Sequence, residues 1–131
     1  MVSTGAALAY VASATLIASG AAHLGPTRAV AASFGAISVD NRRTLMMEWM
    51  AEGITHISIG FLVVLATAID GASDATTRLL YGVSAGILVV LAALTAATGA
   101  RTPVIWFRVC PFVLTGAATL FADREPRVTT R

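Results

Sequence analysis

Four long apolar segments leave this 131-residue chain few folds to choose from. They cover approximately residues 4–24, 44–69, 79–98 and 103–122. Each is close to the ~20 residues that a helix needs to cross ~30 Å of hydrocarbon. The pattern predicts a single all-α domain, an integral membrane antiparallel four-helix bundle.

Composition points the same way and excludes other classes of protein. Hydrophobic residues make up 56% of the chain and charged residues 12%, a balance outside that of soluble globular proteins. The basic residues are all arginines scattered between the apolar segments, so the net charge of +2 does not indicate nucleic-acid binding. The single cysteine, Cys110, excludes an internal disulfide and a CxxC motif.

The connectors between the segments predict how the helices begin and end. Gly25 and Pro26 end the first helix and start another, so we expect a short interfacial helix from about Pro26 to Phe34. The second connector, DGASDATTR, is a polar turn in which Asp74 is the expected N-cap of the third helix. The third connector, GARTP, is short and makes the last two helices antiparallel neighbours.

A polar stripe interrupts the second apolar segment. Glu48, Glu52 and His56 are four residues apart and share one helix face with Thr55. Ionisable groups at membrane depth cost roughly 2.5–3.5 kcal/mol each, so they normally face a bundle interior or a wet cavity. The stripe therefore predicts an intramembrane polar site.

The predicted topology brings two more groups to the same membrane side. His23 ends the first helix, and Arg108 lies near the start of the fourth. One interpretation is structural: Arg108 neutralises a glutamate, and the network fixes the register of the bundle. The other is functional, because one arginine cannot compensate two glutamates and the remaining carboxylate could hold or transfer a proton.

On the functional interpretation the site residues take two roles. Glu52 and His56 are the expected catalytic pair, acting as proton donor and acceptor. The expected binding residues are Glu48, Arg108, His23, Trp49 and Thr55. Trp49 also suits an aromatic belt at the membrane face.

Metal and haem are less favoured cofactors than a quinone. The spacing E-x-x-x-E-x-x-x-H differs from the E-x-x-H of di-iron bundles, so no metal site is predicted. A haem held by His23 and His56 needs both at one depth, whereas helix rise places His56 about 18 Å in and His23 near the boundary.

Two glycines mark the third segment, which carries no charge. Gly82 and Gly86 form a small-xxx-small pattern that lets helix backbones approach closely. The contact is either packing within the bundle or an interface of a homo-oligomer. The sequence leaves both interpretations open.

The segment ATLIASGAAHLGPTRAVAASFG, followed by AEGITHISIGFLVVL, resembles the DoxX-like small four-helix bacterial membrane proteins. The matching parts are a first helix rich in small residues that ends in His-Leu-Gly-Pro, and Glu52 with Gly60 on the second. The resemblance covers most of the chain. It implies a multi-pass protein of the bacterial inner membrane, and members named for thiosulfate:quinone oxidoreductase imply a link to quinones.

We expect the pocket to bind the polar head of a small lipophilic molecule, either quinone-like or isoprenoid- or sterol-like, within the membrane lipid. Such a site needs no soluble cofactor. A second hypothesis is an accessory subunit of a larger membrane complex, in which the polar stripe and the glycines make helix contacts. A third is a small proton-coupled transporter that works as an oligomer.

Overall fold

The computed structural model describes residues 2–72, 74–98 and 105–122, with the backbone alone for 105–109 and 111. This part of the chain is all-helical and contains no strand. Its helices are α1 (Thr4–Leu24), α2 (Thr27–Ser33), α3 (Val39–Asp70), α4 (Ala75–Thr98) and α5 (Ile105–Ala122). The helix predicted in the first connector is thus present as α2.

Three of these helices, α1, α3 and α4, are long and apolar enough to span a membrane, which suggests a membrane protein. In α5 the apolar stretch found among the described residues is the shorter one, Phe112–Ala122. Many large apolar side chains face outward, among them Val11 on α1, Leu65 on α3, Val90 on α4 and Leu114 on α5. An apolar exterior of this kind matches a lipid environment better than water.

Two helices, α3 and α4, begin earlier than the apolar segments that predicted them. α3 starts at Val39 rather than near residue 44, because the Ser38 hydroxyl accepts the Asn41 N–H at 3.1 Å and caps a polar first turn. α4 starts at Ala75 rather than near residue 79, because Asp74 caps it. Hydropathy alone cannot detect a polar turn that continues an apolar helix.

Asp74 is the N-cap that the sequence predicts. Its Oδ2 accepts the backbone N–H of Thr76 at 2.7 Å and of Thr77 at 3.3 Å. These two donors stabilise the carboxylate and hold the pKa of Asp74 below its ordinary value of 3.8. The cap fixes the start of α4 directly after the end of α3.

Arg42 on α3 connects α3 to α2 and the following turn by two hydrogen bonds. Its guanidinium donates to the carbonyl oxygens of Ala31 at 3.0 Å and Gly35 at 3.1 Å, which lie at the end of α2 and in the following turn. Gly35 makes that turn with φ +67°, a conformation that L side chains rarely adopt. α2 therefore lies against the first turns of α3.

The four long helices form a ring in which α1 packs against α3 and α5, and α4 packs against α5. The contact between α3 and α4 is the weakest of the four. The α1–α3 contact is unusually close. A Cβ atom added to Gly20 would lie 2.7 Å from the Gly53 carbonyl oxygen, and one added to Gly60 would lie 2.6 Å from Ile17 Cγ1. The two backbones approach this closely because no side chains separate them.

α3 and α4 meet at the end where their short connector joins them. The hydroxyls of Thr67 and Tyr81 are 2.5 Å apart, and the Tyr81 side chain is completely buried. The Thr77 hydroxyl donates to the Ala66 carbonyl at 3.3 Å. Toward the opposite end the two helices are separated by a groove.

Candidate functional site

The end of α1 and the middle of α3 enclose a cleft of about 220 Å³. It is lined by two histidines, a glutamate, two aromatic rings and three small residues: His23, His56, Glu52, Trp49, Phe112, Ser19, Ala22 and Pro26. The close approach of the two helices at Gly20 and Gly53 brings these side chains together.

The imidazole of His23 contacts both Trp49 and Glu52. The indole ring stacks on the imidazole with ring centroids 4.0 Å apart and planes 13° apart. Trp49 Nε1 also donates to the His23 carbonyl oxygen at 2.7 Å. On the other side His23 Nε2 lies 3.4 Å from Glu52 Oε2. Stacking and the carboxylate contact together fix the orientation of this ring.

His56 is the buried polar group at the base of the cleft. Its side chain is 1% exposed, and its ring lies 6.1 Å from the His23 ring and 4.4 Å from the Phe112 ring, measured between centroids. Neither ring nitrogen of His56 has a hydrogen-bond partner among the described residues. A buried polar group left unpaired costs about 1–3 kcal/mol, so it calls for an explanation.

The closeness of His23 and His56 corrects the depth difference predicted from helix rise. That prediction was wrong because it set the end of α1 level with the start of α3. In the structure α3 extends past α1 by several turns, since α2 lies beside the start of α3, and His23 therefore reaches the Glu52 level. Among the described residues no group of three or more His, Cys, Asp or Glu side chains is arranged to hold a metal ion.

The predicted polar stripe divides between two sites. Glu48 and Thr55 line a separate groove of about 370 Å³ between α3 and α4, rather than the cleft. Each four-residue step along a helix rotates a side chain by about 40°, so Glu48 points about 80° away from His56. Thr55 donates to the Ala51 carbonyl of its own helix at 2.7 Å. Trp49 and Glu52 border both the cleft and the groove.

The apolar lining of this groove comes mainly from leucines, and its far wall is α4. The lining residues beyond those already named are Leu45, Ala51, Leu91, Leu94, Thr95 and Thr98. The groove is thus mostly apolar, with polar groups toward the Glu48 and Thr98 end. It adjoins the cleft across Trp49 and Glu52.

Two further predictions have different outcomes. Arg108 belongs to α5, but its side chain lies outside the described residues, so its pairing with a glutamate stays a prediction. Packing of Gly82 and Gly86 within the bundle is wrong for the described part of the chain: both are exposed, and a Cβ atom on either would meet nothing within 4 Å. A homo-oligomer contact there stays a prediction.

Sequence reasoning missed the residues that complete the cleft. Phe112 was not a candidate, because its place depends on how α5 packs against α1 and α4 and no local pattern encodes this. Gly20 and Gly53 could have been found, since small-residue spacing was considered for α4 and applies equally to α1 and α3. Their signal was hidden among the many small residues of α1.

The chain matches no protein-family model, and no curated protein or solved structure is significantly similar to it. The resemblance to DoxX-like proteins therefore stays a prediction. Functional conclusions rest on the cleft and on the residues that line it.

Proposed function

We propose that this chain is a four-span protein of the bacterial inner membrane whose cleft binds the polar head of a small lipophilic molecule, quinone-like or isoprenoid- or sterol-like. The observation that carries the proposal is His56. It is almost fully buried, it lines the cleft, and both of its ring nitrogens lack a hydrogen-bond partner in the described part of the chain. A bound head group would supply the missing partner.

The length of α5 supports a fourth span. Its 18 residues rise about 27 Å, close to the ~30 Å of a hydrocarbon core. Val113, Leu114 and Phe121 on this helix are exposed, as a lipid-facing surface requires. The resemblance to DoxX-like proteins supports the bacterial membrane and the four-helix arrangement.

The size and walls of the cleft favour a small head group. Its volume of about 220 Å³ is below the ~300–1,000 Å³ typical of sites for drug-sized ligands, so only part of a larger molecule fits. The rings of Trp49 and Phe112 give it flat apolar walls. We propose that an apolar tail leaves the cleft past Trp49 into the leucine-lined groove between α3 and α4.

The polar groups of the cleft can exchange a proton with the ligand. Glu52 is 30% exposed and lies next to His23, which positions its carboxylate. His56 follows Glu52 by one helical turn, so both reach the same head group. Glu52 and His56 are therefore the groups that we propose as proton donor and acceptor.

The test is native mass spectrometry with an ultraviolet-visible spectrum on gently solubilised protein. We expect a co-purifying small molecule on the wild-type protein, and its loss from Glu52→Gln and His56→Ala. The matched control is Asp70→Asn, an exposed carboxylate at the far end of α3, which should keep the molecule. Folded wild-type protein that is always empty, and that takes up no added lipophilic compound, would refute the proposal.

A second function, as a subunit that associates through α4, is favoured by one observation. Gly82 and Gly86 lie on an exposed face where no described atom is near them, although small residues at this spacing usually allow a helix to approach. Replacing Gly86 by Leu should then release monomers from a homo-oligomer or from a co-purifying partner in native mass spectrometry. Val113→Leu on the exposed face of α5 is the control. A wild-type protein that is already monomeric would rule this out.

A further inference from the structure

The cleft presents a defined set of hydrogen-bonding groups to whatever enters it. A carboxylate accepts hydrogen bonds at about four lone-pair sites, of which the contact of Glu52 with His23 uses one. An imidazole ring has two nitrogens that can make hydrogen bonds, and both nitrogens of His56 are buried without a partner among the described residues. The head group must therefore donate to Glu52, and it must accept from or donate to His56.

The walls restrict the shape of that head group. The Trp49 indole lies flat against the His23 imidazole, and the Phe112 ring is tilted 57° against His56. Flat aromatic walls favour a planar ring, which stacks or meets them edge to face.

We infer that the head group is a hydroxyl on a single aromatic ring, a phenol-type alcohol, whose O–H donates to Glu52 and whose oxygen accepts from His56. This inference rests on the proposed function of the cleft and narrows its ligand class. A quinone carries only carbonyl acceptors and offers the Glu52 carboxylate no donor. A sterol has a hydroxyl, but its fused saturated rings do not match the aromatic walls.

Three probes with the same decyl tail test the inference on the full chain in lipid nanodiscs. 4-Decylphenol donates and accepts, 4-decylanisole only accepts through its ether oxygen, and decyl-1,4-benzoquinone only accepts through carbonyls. We expect the phenol to bind about tenfold or more tightly than the other two by isothermal titration calorimetry, because only the phenol can donate a hydrogen bond to the Glu52 carboxylate. This comparison uses the wild-type protein and needs no variant that must fold.

Variants then assign the preference to the named residues. Glu52→Gln replaces the carboxylate by an amide that also donates. The affinity for the phenol should therefore fall, and the affinities for the anisole and the quinone should rise, so that the protein no longer prefers the phenol. Asp70→Asn should keep the preference for the phenol. Circular dichroism confirms that each variant is helical before titration.

The other outcomes overturn different statements. Equal binding of phenol and anisole, or tighter binding of the quinone, overturns the phenol inference and leaves the proposed lipophilic site standing. Failure of all three probes to bind a folded wild-type protein overturns the phenol inference, and a protein that also stays empty in native mass spectrometry overturns the proposed function. A preference for the phenol that survives in Glu52→Gln overturns the role given to Glu52.

Discussion

Trp49 contacts His23 twice, through a stacked ring and through a hydrogen bond to its carbonyl oxygen. Trp49→Phe keeps an aromatic ring but removes the N–H donor. We expect the free energy of unfolding to fall by about 0.5–1.5 kcal/mol, the net value of one hydrogen bond. Thermal unfolding in detergent measures this. Phe61→Leu on the exposed face of α3 is the control, and a Trp49→Phe protein no less stable than that control would contradict the prediction.

Asp74 gives the fold a pH dependence of predictable sign. Its folded-state pKa is lowered by the N–H groups of Thr76 and Thr77, so the stability it contributes is present above the unfolded value near 3.8 and is lost as pH falls through the lower folded value. Below both values the carboxyl is protonated in folded and unfolded chains alike.

The expected result is therefore a wild-type protein that loses stability below about pH 4 more steeply than Asp74→Asn does. Asparagine also caps a helix but does not titrate in this range. Melting temperatures measured from pH 7 to pH 3 in one detergent test the difference. If the two proteins lose stability with pH in parallel, Asp74 is not the source of the pH dependence.

The positions of single site residues were predicted only in part from the sequence. The distance of four residues between Glu52 and His56 predicted correctly that they share a face, because helix geometry depends only on spacing. Glu48 has the same spacing but turns toward the groove, since the rotation of about 40° per step accumulates. Phe112 was unpredictable, because its contact with His56 depends on the packing of α5.

Between elements, the glycine contact of α1 with α3 sets the geometry of the cleft. Gly20→Ala would place a Cβ atom 2.7 Å from the Gly53 carbonyl oxygen, and a backbone atom cannot move aside as a side chain can. α1 and α3 must then separate, and we expect a loss of about 1–3 kcal/mol in the free energy of unfolding. Gly25→Ala is the control, because its nearest atoms would lie 3.8 Å away.

The same change should weaken the binding of 4-decylphenol, since His23 belongs to α1 and Glu52 belongs to α3. Calorimetric titration of Gly20→Ala and Gly25→Ala side by side measures this. Wild-type stability and affinity in Gly20→Ala would mean that the close approach is not needed.

The positions of the long helices were predicted better than the residues at which they begin. Apolar length gave the centres of the long helices, because crossing a hydrocarbon layer demands about 20 apolar residues whatever the neighbours are. The polar first turn of α3 was missed, since the Ser38 cap extends the helix without changing its hydropathy, whereas the Asp74 cap at the start of α4 was predicted. The packing of α1 against α3 was not predicted from the loops and is seen only in the structure.

Across the whole molecule, the ring of helices is tight on three sides and open on the fourth, between α3 and α4. We expect Thr95→Trp, which fills this groove from α4, to slow the association of 4-decylphenol severalfold without changing the cleft. Stopped-flow measurements in nanodiscs test this, with Leu120→Trp on the exposed face of α5 as control. An unchanged association rate would show that ligands enter elsewhere.

The open side has a consequence for how affinity must be expressed. Decyl compounds dissolve almost entirely in lipid, so in the proposed membrane arrangement the groove would meet them there and not in the aqueous phase. The quantity that governs occupancy is the mole fraction of ligand in the bilayer. Doubling the lipid per protein at fixed total ligand should therefore halve the occupancy of a weakly filled site, although nothing in the buffer has changed.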